Sequence, residues 1–235
     1  TFAGGVIQNG TLTATGTAFV AQSGTVSAVL AGGQGLVKSG GGALTLSGVN
    51  SYTGGTTVTV GSLLLSGGNE RLSTSGAITT SGGVLDLGGN IQTTLGTVTF
   101  AGGVIQNGTL TATGTAYVAQ SGTLSAILAG TQALVKDGAG ALTLSGVNSY
   151  NGGTTVNNGS LLLGNGHLCG RRSSKRDLYL DGDGVCGPKR HGERDPRWDA
   201  ESGEERLWGA DFERSELVLR WDDGERWFVA TFRWR

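Results

Sequence analysis

The sequence predicts an all-β protein: a right-handed parallel β-helix (solenoid) over residues 1–163, followed by an irregular or disordered C-terminal tail over residues 164–235. Three observations support this prediction: 45 glycines among 235 residues, short runs that alternate apolar and small polar residues, and a long internal duplication. The abundance of glycine excludes an ordinary helical domain, because glycine costs about 1 kcal/mol relative to alanine inside a helix.

Short runs of β-forming residues, separated by glycine, fill residues 1–163. Thr11–Thr15, Ala43–Ser47 and Val84–Leu87 alternate apolar with small or polar side chains, which is the pattern of half-buried strands. Gly-Gly and Asn-Gly steps between such runs supply the positive φ angles that turns need. A flexible linker of similar composition would not need Val, Leu and Ile at alternate positions, so the alternation favours ordered strands over disorder.

The internal duplication relates residues 1–65 to residues 99–163. The offset is 98 residues, and 55 of the 65 aligned positions are identical. Such a pattern indicates buried apolar positions beneath a tolerant polar exterior, and a recent duplication with little divergence would leave the same pattern. Three of the ten differences conserve volume: Phe19 becomes Tyr117, Val26 becomes Leu124 and Val29 becomes Ile127.

The scarcity of large side chains distinguishes between β architectures. Residues 1–163 contain six aromatic residues, a thin supply for a sandwich core that has to fill a gap of about 10 Å between sheets. A parallel β-helix has a narrower interior, which stacked small and medium aliphatic side chains fill. With about 20 residues in each coil, the 98-residue unit would form about five coils and residues 1–163 about eight.

Two segments carry a longer motif of some thirty residues. The first copy runs through Leu36-Val37-Lys38, Gly42-Ala43-Leu44-Thr45-Leu46-Ser47-Gly48, Asn50-Ser51-Tyr52 and Gly61-Ser62-Leu63. The second copy runs through Leu134-Val135-Lys136, Gly140-Ala141-Leu142-Thr143-Leu144-Ser145-Gly146, Asn148-Ser149-Tyr150 and Gly159-Ser160-Leu161. Both segments resemble the passenger-associated strand repeat of bacterial autotransporters.

The resemblance implies a secreted β-helical passenger at a Gram-negative-type cell surface, associated with the outer membrane and acting as a stalk or an adhesin. Its partners would then be surface glycans or proteins of a host or of the environment. The family motif is structural and carries over no catalytic residues. The chain has no recognisable export leader and no 18-residue apolar run, so we expect no membrane insertion by this segment. The resemblance implies a separate outer-membrane barrel outside this chain.

The alternation within the motif also predicts where its side chains lie. Leu44 and Leu46 would point into the core with Thr45 outside, or the reverse after a one-residue shift of register. Asn50 would either stack on neighbouring polar side chains or cap a turn. Tyr52 would cover an edge of the core, and packing is favoured over a role in stacking against sugars.

Residues 1–163 offer little material for catalysis or for metal binding. Because no His or Cys precedes His167, this part of the chain cannot form a Ser-His-Asp or Cys-His arrangement, or a metal site built on imidazole or thiolate. A net charge of −1 argues against a nucleic-acid surface. We predict no catalytic, cofactor-binding or metal-binding residues. The charged side chains are Lys38, Glu70, Arg71, Asp86, Lys136 and Asp137.

Two other functions are weaker alternatives. A carbohydrate-active β-helix enzyme, of the polysaccharide lyase or hydrolase type, would need an acid pair or an acid with a base. Glu70-Arg71 beside Asp86 is the candidate, and a solvated loop pair is the simpler interpretation. An ice-binding face would need Thr-x-Thr at the same place in every coil, which the long period does not supply.

The tail differs sharply in composition, and a boundary is expected near Leu163–Gly164. It contains 29 of the 35 charged residues and all five Trp. Cys169 and Cys186 would form one disulfide or remain free thiols. A zinc site with the two histidines is disfavoured, because the spacing of His167 and His191 around them matches no common finger.

Three further interpretations of the tail stay open. Asp181–Cys186 resembles a fragment of a calcium-binding Asp/Gly repeat, but it has too few carboxylates for tight binding. Leu217, Leu219 and Trp221 share one face of a strand that could turn at Asp222-Asp223-Gly224 and return over Arg226–Trp234. Finally, glycine codons read one position early encode Trp, Arg or Gly, so the tail could be a frameshifted continuation of the repeats.

Overall fold

A computed structural model describes residues 1–164 and the backbone of residues 217–219. All regular secondary structure in this part of the chain is β-strand, which confirms the all-β prediction. The strands are β1 (Val6–Ile7), β2 (Thr11–Ala14), β3 (Phe19–Ala21), β4 (Gly24–Val26), β5 (Val29–Gly32), β6 (Leu36–Lys38), β7 (Ala43–Leu46), β8 (Thr56–Val58), β9 (Ser62–Leu65), β10 (Ile78–Thr94), β11 (Val98–Ala112), β12 (Tyr117–Ala119), β13 (Gly122–Leu124), β14 (Ile127–Ala129), β15 (Leu134–Lys136), β16 (Ala141–Leu144), β17 (Thr154–Val156), β18 (Ser160–Leu163) and β19 (Leu217–Leu219).

The strands stack in three lines along a solenoid, here called faces A, B and C. Face A contains β3, β6, β8, β12, β15 and β17, and face B contains β1, β4, β7, β9, β13, β16 and β18. Face C contains β2, β5 and β14, while the long strands β10 and β11 bend through all three faces with register shifts. Every pairing among β1–β18 is parallel, which excludes an antiparallel sandwich.

The length of each coil follows from the residues that stack on face A. Phe19, Leu36, Thr56, Ile78, Val98 and Tyr117 lie in register, with sequence separations of 17, 20, 22, 20 and 19 residues. Five coils therefore span the 98-residue offset, and about eight coils span residues 1–163, as predicted. The coils are numbered 1 (1–18), 2 (19–35), 3 (36–55), 4 (56–77), 5 (78–97), 6 (98–116), 7 (117–133) and 8 (134–153), and residues 154–163 begin a ninth.

The core is a narrow column of aliphatic side chains with two short aromatic stacks. Leu44 and Leu46 are fully buried, while Thr45 is partly exposed, so the motif takes the first of its two predicted registers. At one end of the column the ring centroids of Phe2 and Phe19 lie 6.1 Å apart. Near the other end the Tyr117 and Tyr150 centroids are also 6.1 Å apart. Six aromatic residues are thus enough for a solenoid interior.

The C-terminal end of the described solenoid carries one antiparallel strand. β19 pairs with β18, with Leu162 opposite Val218. The turn and return strand of the predicted hairpin lie outside the described residues. So do Cys169, Cys186, His167, His191 and the Asp181–Cys186 run, and the boundary near Leu163–Gly164 and the frameshift remain predictions. The described part of the chain contains no helix long and apolar enough to cross a membrane.

Candidate functional surface

A buried amide joins three coils at the corner between faces B and C. Asn50 Oδ1 accepts a hydrogen bond from the Leu30 N–H at 2.8 Å. Its Nδ2 donates to the carbonyl of Gly48 at 3.2 Å and to that of Arg71 at 2.6 Å. In the second copy Asn148 Oδ1 accepts from the Leu128 N–H at 2.8 Å. The motif asparagine is therefore a corner cap, one of the two predicted roles, and it satisfies backbone groups that would otherwise be buried unpaired.

Two lysines of the motif are inside the protein rather than on its surface. Lys38 and Lys136 are fully buried. Lys38 Nζ donates to the carbonyls of Gly40 and, at 3.0 Å, Val60, and Lys136 makes the equivalent bonds in coils 8 and 9. Burial lowers the pKa of both ammonium groups, because a charged amine loses hydration there. Sequence reasoning missed this role, although the same lysine in both copies of a charge-poor sequence was a signal.

The motif tyrosines are also interior. Tyr52 and Tyr150 are fully buried, and their hydroxyls share hydrogen bonds with Thr56 Oγ1 at 2.5 Å and Thr154 Oγ1 at 2.6 Å. Burial raises the pKa of Tyr52 to about 12 and that of Tyr150 further. Neither ring is accessible to a sugar, which confirms the packing interpretation.

The two acids considered for catalysis bind the protein's own backbone and amides. Glu70 Oε2 accepts from the Thr93 N–H at 2.9 Å and from Gln92 Nε2 at 3.0 Å. Asp86 Oδ1 accepts from the Gly88 N–H at 2.8 Å. Among the described residues the two carboxylates share no hydrogen-bond partner, and no three His, Cys, Asp or Glu side chains come together as a metal site would require. The Asp86 Oδ2 partners are Gln106 Nε2 at 2.8 Å and Asn107 Nδ2 at 2.9 Å.

The outer surface of face C carries a row of β-branched side chains, here called the face-C row. Thr11 pairs with Val29, Ile91 with Thr109, and Thr109 with Ile127. The bonds from the Ser51 N–H to the Leu30 carbonyl and from the Ser149 N–H to the Leu128 carbonyl continue the two parallel ladders. They place Val49 beside Val29 and Val147 beside Ile127. The row is Thr11, Val29, Val49, Ile91, Thr109, Ile127 and Val147, interrupted in coil 4.

The face-C row includes three of the most exposed aliphatic side chains of the described protein. Val49 and Val147 are each 60% exposed and Ile91 is 45% exposed. The flanking inward residues Leu30, Leu110 and Leu128 are fully buried. Since the strands repeat at about 4.8 Å, the row forms a shallow, extended apolar strip rather than a pocket.

The lateral surface around this strip is almost without charge. With both lysines buried, the charged side chains of residues 1–163 that reach solvent are two acids and an arginine in coils 4 and 5 and one acid in coil 8. Hydroxyl and amide groups provide the remaining polarity. Such a surface suits neutral partners, because it offers hydrogen bonds and apolar contact but little electrostatic steering. The four charged residues that reach solvent are Glu70, Arg71, Asp86 and Asp137.

The two segments that place the asparagine cap, the buried lysine and the buried tyrosine also match a known family. Residues 36–65 and 134–163 match the passenger-associated-transport-repeat family. The chain carries two passenger-associated-transport repeats. Each repeat occupies one full coil and the face-A and face-B strands of the next, from Leu36 to Leu65 and from Leu134 to Leu163.

A comparison with curated proteins extends the similarity beyond the repeats. The chain is 38% identical over 162 residues to the adhesin BmaC autotransporter of Brucella suis biovar 1 (strain 1330). The aligned part is 68% of this chain and 4% of that relative, so this chain spans only a small fraction of the relative's length. No solved structure matches the chain.

Proposed function

We propose that residues 1–163 are a structural and adhesive segment of an autotransporter passenger displayed at a bacterial cell surface. The observation that carries this proposal is the pair of passenger repeats, each built into a continuous parallel solenoid. The similarity to an autotransporter adhesin supports the same role. An outer-membrane barrel outside this chain would anchor the segment.

The solenoid contributes length and the face-C row contributes contact area. A stacked parallel sheet is stiff along its axis, because each coil is hydrogen-bonded to both neighbours. Val49, Ile91 and Val147 expose apolar surface to solvent at intervals along that axis. Exposed apolar side chains on an extended face are a feature of interaction surfaces, and the near absence of charge favours neutral glycans or uncharged protein segments as partners.

An enzymatic role has weaker physical support. Both carboxylate oxygens of Asp86 and one of Glu70, Oε2, accept hydrogen bonds from backbone N–H groups and amides of the same chain. A general acid has to present its proton to a substrate, whereas these hydrogen bonds hold the carboxylate oxygens against the protein itself. We therefore propose a non-enzymatic segment whose activity lies in an extended surface.

Adhesion of cells that display the chain tests the proposal. The full chain would be fused to an autotransporter barrel, and cell attachment would be counted on plates coated with neutral glycans or with extracellular-matrix proteins. We expect attachment above that of cells displaying the barrel alone. The variant V49E/I91E/V147E should lose most of that gain, because three carboxylates would have to be desolvated on contact.

The control places the same charge on another face. T25E/T123E/S125E changes two exposed side chains of face B and the exposed serine directly after β13, and it should keep attachment near that of the unmodified chain. Equal surface display of both variants has to be shown by antibody labelling. Attachment no better than that of the barrel alone on every coating would refute adhesion. Cleavage of a polysaccharide by the unmodified chain that is abolished in E70Q or D86N would refute the non-enzymatic role.

A further inference from the structure

One turn of the second repeat differs from the same turn of the first at a reactive position. In each repeat this turn joins the last face-A strand to the last face-B strand. It contains a left-handed glycine, with a φ of 70° at Gly61 and 72° at Gly159. The residue before that glycine is Val60 in the first repeat and Asn158 in the second. The second repeat therefore has an Asn-Gly step where the first has Val-Gly.

Packing requires the glycine of this turn. A β-carbon on Gly159 would overlap the carbonyl oxygens of Gly138 and Gly140 and would lie 2.8 Å from Lys136 Nζ. Glycine has no side chain to shield its backbone nitrogen, so a neighbouring group can approach that nitrogen closely. The fold thus places an unhindered backbone nitrogen directly after Asn158.

The Asn158 side chain lies against this nitrogen. Its Oδ1 accepts a hydrogen bond from the Gly159 N–H at 2.8 Å, so the amide carbon Cγ that carries this oxygen is held beside the nitrogen. Asn158 is exposed, which gives the side chain room to turn Cγ towards the nitrogen and gives water access to the amide. A nucleophile and an electrophile that are already neighbours avoid much of the entropic cost of their reaction.

A buried ammonium contacts the same peptide group. Lys136 Nζ donates a hydrogen bond to the Asn158 backbone carbonyl at 3.0 Å and another to the Gly138 carbonyl. When the Gly159 nitrogen loses its proton, the negative charge of the peptide anion is shared with the Asn158 carbonyl oxygen. A cation held at that oxygen stabilises the charge, as the donors of an oxyanion hole do. Because Lys136 is fully buried, solvent screens this interaction weakly.

We propose that Asn158 and Gly159, activated by Lys136, form a self-modification site that converts the Asn158 side-chain amide into a carboxylate, with water as the co-reactant. The Gly159 nitrogen gives its proton to solvent and attacks Cγ of Asn158. The N–Cγ bond forms, the Cγ–Nδ2 bond breaks, and the amide nitrogen takes up a proton and leaves as ammonia. Water then adds to one carbonyl carbon of the resulting succinimide ring, which opens to aspartate or to isoaspartate. The sum is a hydrolysis that needs no oxidant or reductant.

The reaction would change only the repeat that carries it. Both products place a carboxylate in the turn that holds the Lys136 ammonium, on a surface that has few charges. The isoaspartate product also lengthens the main chain within this turn. Since the first repeat has Val60 there, the two repeats would become chemically different with time. The site is independent of the face-C row and of adhesion.

Other asparagines that precede glycine provide internal comparisons. Asn107 and Asn151 are also followed by glycine. Asn107 Nδ2 donates to Asp86 Oδ2 at 2.9 Å, so that side chain is engaged by another partner. No lysine or arginine of the described residues donates a hydrogen bond to the backbone carbonyl of Asn107 or Asn151. The Asn-Gly dipeptide alone therefore does not reproduce the arrangement at Asn158.

Ageing of the full chain at neutral pH tests the proposal. Peptide mapping by mass spectrometry, with a separation that resolves isoaspartate, would follow amide loss at Asn158, Asn107 and Asn151. In the folded chain we expect amide loss at Asn158 to be at least about tenfold faster than at the other two, because of the cation at its carbonyl. In urea the three rates should approach one another, since the geometry is then absent. Equal rates in the folded chain would refute the proposal.

Two variants separate the lysine from the dipeptide. Val60→Asn should create the same site in the first repeat, because Lys38 Nζ donates to the Val60 carbonyl at 3.0 Å, the distance found in the second repeat. Val60 is 50% exposed, so the variant should fold, and residue 60 should lose its amide at a rate similar to that of Asn158. Lys136→Met should slow amide loss at Asn158 to the rate at Asn107.

Far-ultraviolet circular dichroism of each variant shows whether the solenoid has folded before rates are compared. The proposal fails if V60N loses the amide at residue 60 no faster than Asn107 does, or if folded K136M loses the Asn158 amide at an unchanged rate. If K136M does not fold, V60N alone decides. Cleavage of the chain after Asn158 would also overturn the proposal, because the nucleophile would then be Nδ2 of the side chain and not the Gly159 nitrogen.

Discussion

The two passenger repeats of this protein show which parts of the motif define a coil and which parts are free to vary. Both copies keep the corner asparagine, the buried lysine and the buried tyrosine, with the same hydrogen-bond partners at Leu30 and Leu128, at Gly40 and Gly138, and at Thr56 and Thr154. These residues bind backbone at corners or fill the core. Their identity is fixed by what surrounds them within the solenoid rather than by solvent.

The positions that differ lie mostly on the outside. Gly41 is exposed, with open space where a β-carbon would be, and the second copy has Ala139 there. Val60 is 50% exposed and becomes Asn158. Two of the volume-conserving exchanges, at Phe19 and Val26, are buried as the sequence predicted. The third, at Val29, lies on the outer side of face C and is only partly buried.

Gly61→Ala, which alters the first repeat alone, should have the largest effect on stability. Gly61 has a φ of 70°, and a β-carbon there would overlap the carbonyl oxygens of Gly40 and Gly42 beside Lys38 Nζ. We expect the free energy of unfolding to fall by about 3 kcal/mol or more, from backbone strain and from the displaced lysine. Denaturant unfolding followed by far-ultraviolet circular dichroism measures this loss.

Gly41→Ala is the matched control for that experiment. It introduces the residue that the second repeat already has, at a site with no atom within contact distance. We expect a change within about 0.5 kcal/mol, as for surface substitutions in general. Similar losses for both variants would show that the repeat tolerates no β-carbon in this turn and would contradict the distinction between fixed and free positions.

The buried tyrosines should make the protein sensitive to alkali, with the next largest effect. Burial raises the pKa of Tyr52 and of Tyr117 from 10.0 to about 12. A raised pKa in the folded state stabilises the fold below the unfolded value and loses that contribution as the pH rises through the folded value. Between about pH 9 and pH 12 the unmodified chain should therefore lose about 2–3 kcal/mol of its free energy of unfolding because of Tyr52. The variant Tyr52→Phe should not show that part of the loss.

The buried lysines should change the pH dependence of stability in the opposite direction to the tyrosines, which provides a check on the sign of both effects. Burial lowers the pKa of Lys38 below 10.5, so the unfolded state holds its proton to higher pH than the folded state. Stability should rise with pH just below 10.5 from this source. Denaturation midpoints of Tyr52→Phe and Lys38→Met at closely spaced pH values separate the tyrosine contribution to stability from the lysine contribution. An unchanged alkaline slope in Tyr52→Phe would show that this hydroxyl is not desolvated.

Sequence reasoning predicted the architecture, and the corner cap as one of two roles for Asn50, but not the buried lysines. Alternation at Leu44 and Leu46, together with few large side chains, was enough to indicate a narrow parallel core, and the 98-residue offset was enough to count coils. The carbonyl partners of Lys38 could not be predicted, because Val60 lies in the next coil, 22 residues away. The face-C row was also hidden, since coils of 17 to 22 residues bring Val29 and Val49 together only once the register is known.

The exchange of Phe19 for Tyr117 provides the finest test of the comparison, with the smallest expected effect. The Tyr117 hydroxyl accepts from the Ala112 N–H at 2.8 Å and lies 2.6 Å from the Ala129 carbonyl. Tyr117→Phe would leave this buried N–H without its acceptor and should cost about 1–2 kcal/mol. Phe19→Tyr introduces the hydroxyl into the first copy, where Ala14 is only partly buried. The stability gained there should be smaller than the stability lost in Tyr117→Phe, because water already competes for the same groups. Chemical denaturation of the two single variants and of the double variant measures both terms. If the stability gained in Phe19→Tyr equals the stability lost in Tyr117→Phe, coil 1 excludes water as well as coil 6 does. That result would contradict the exposure of Leu12 in coil 1.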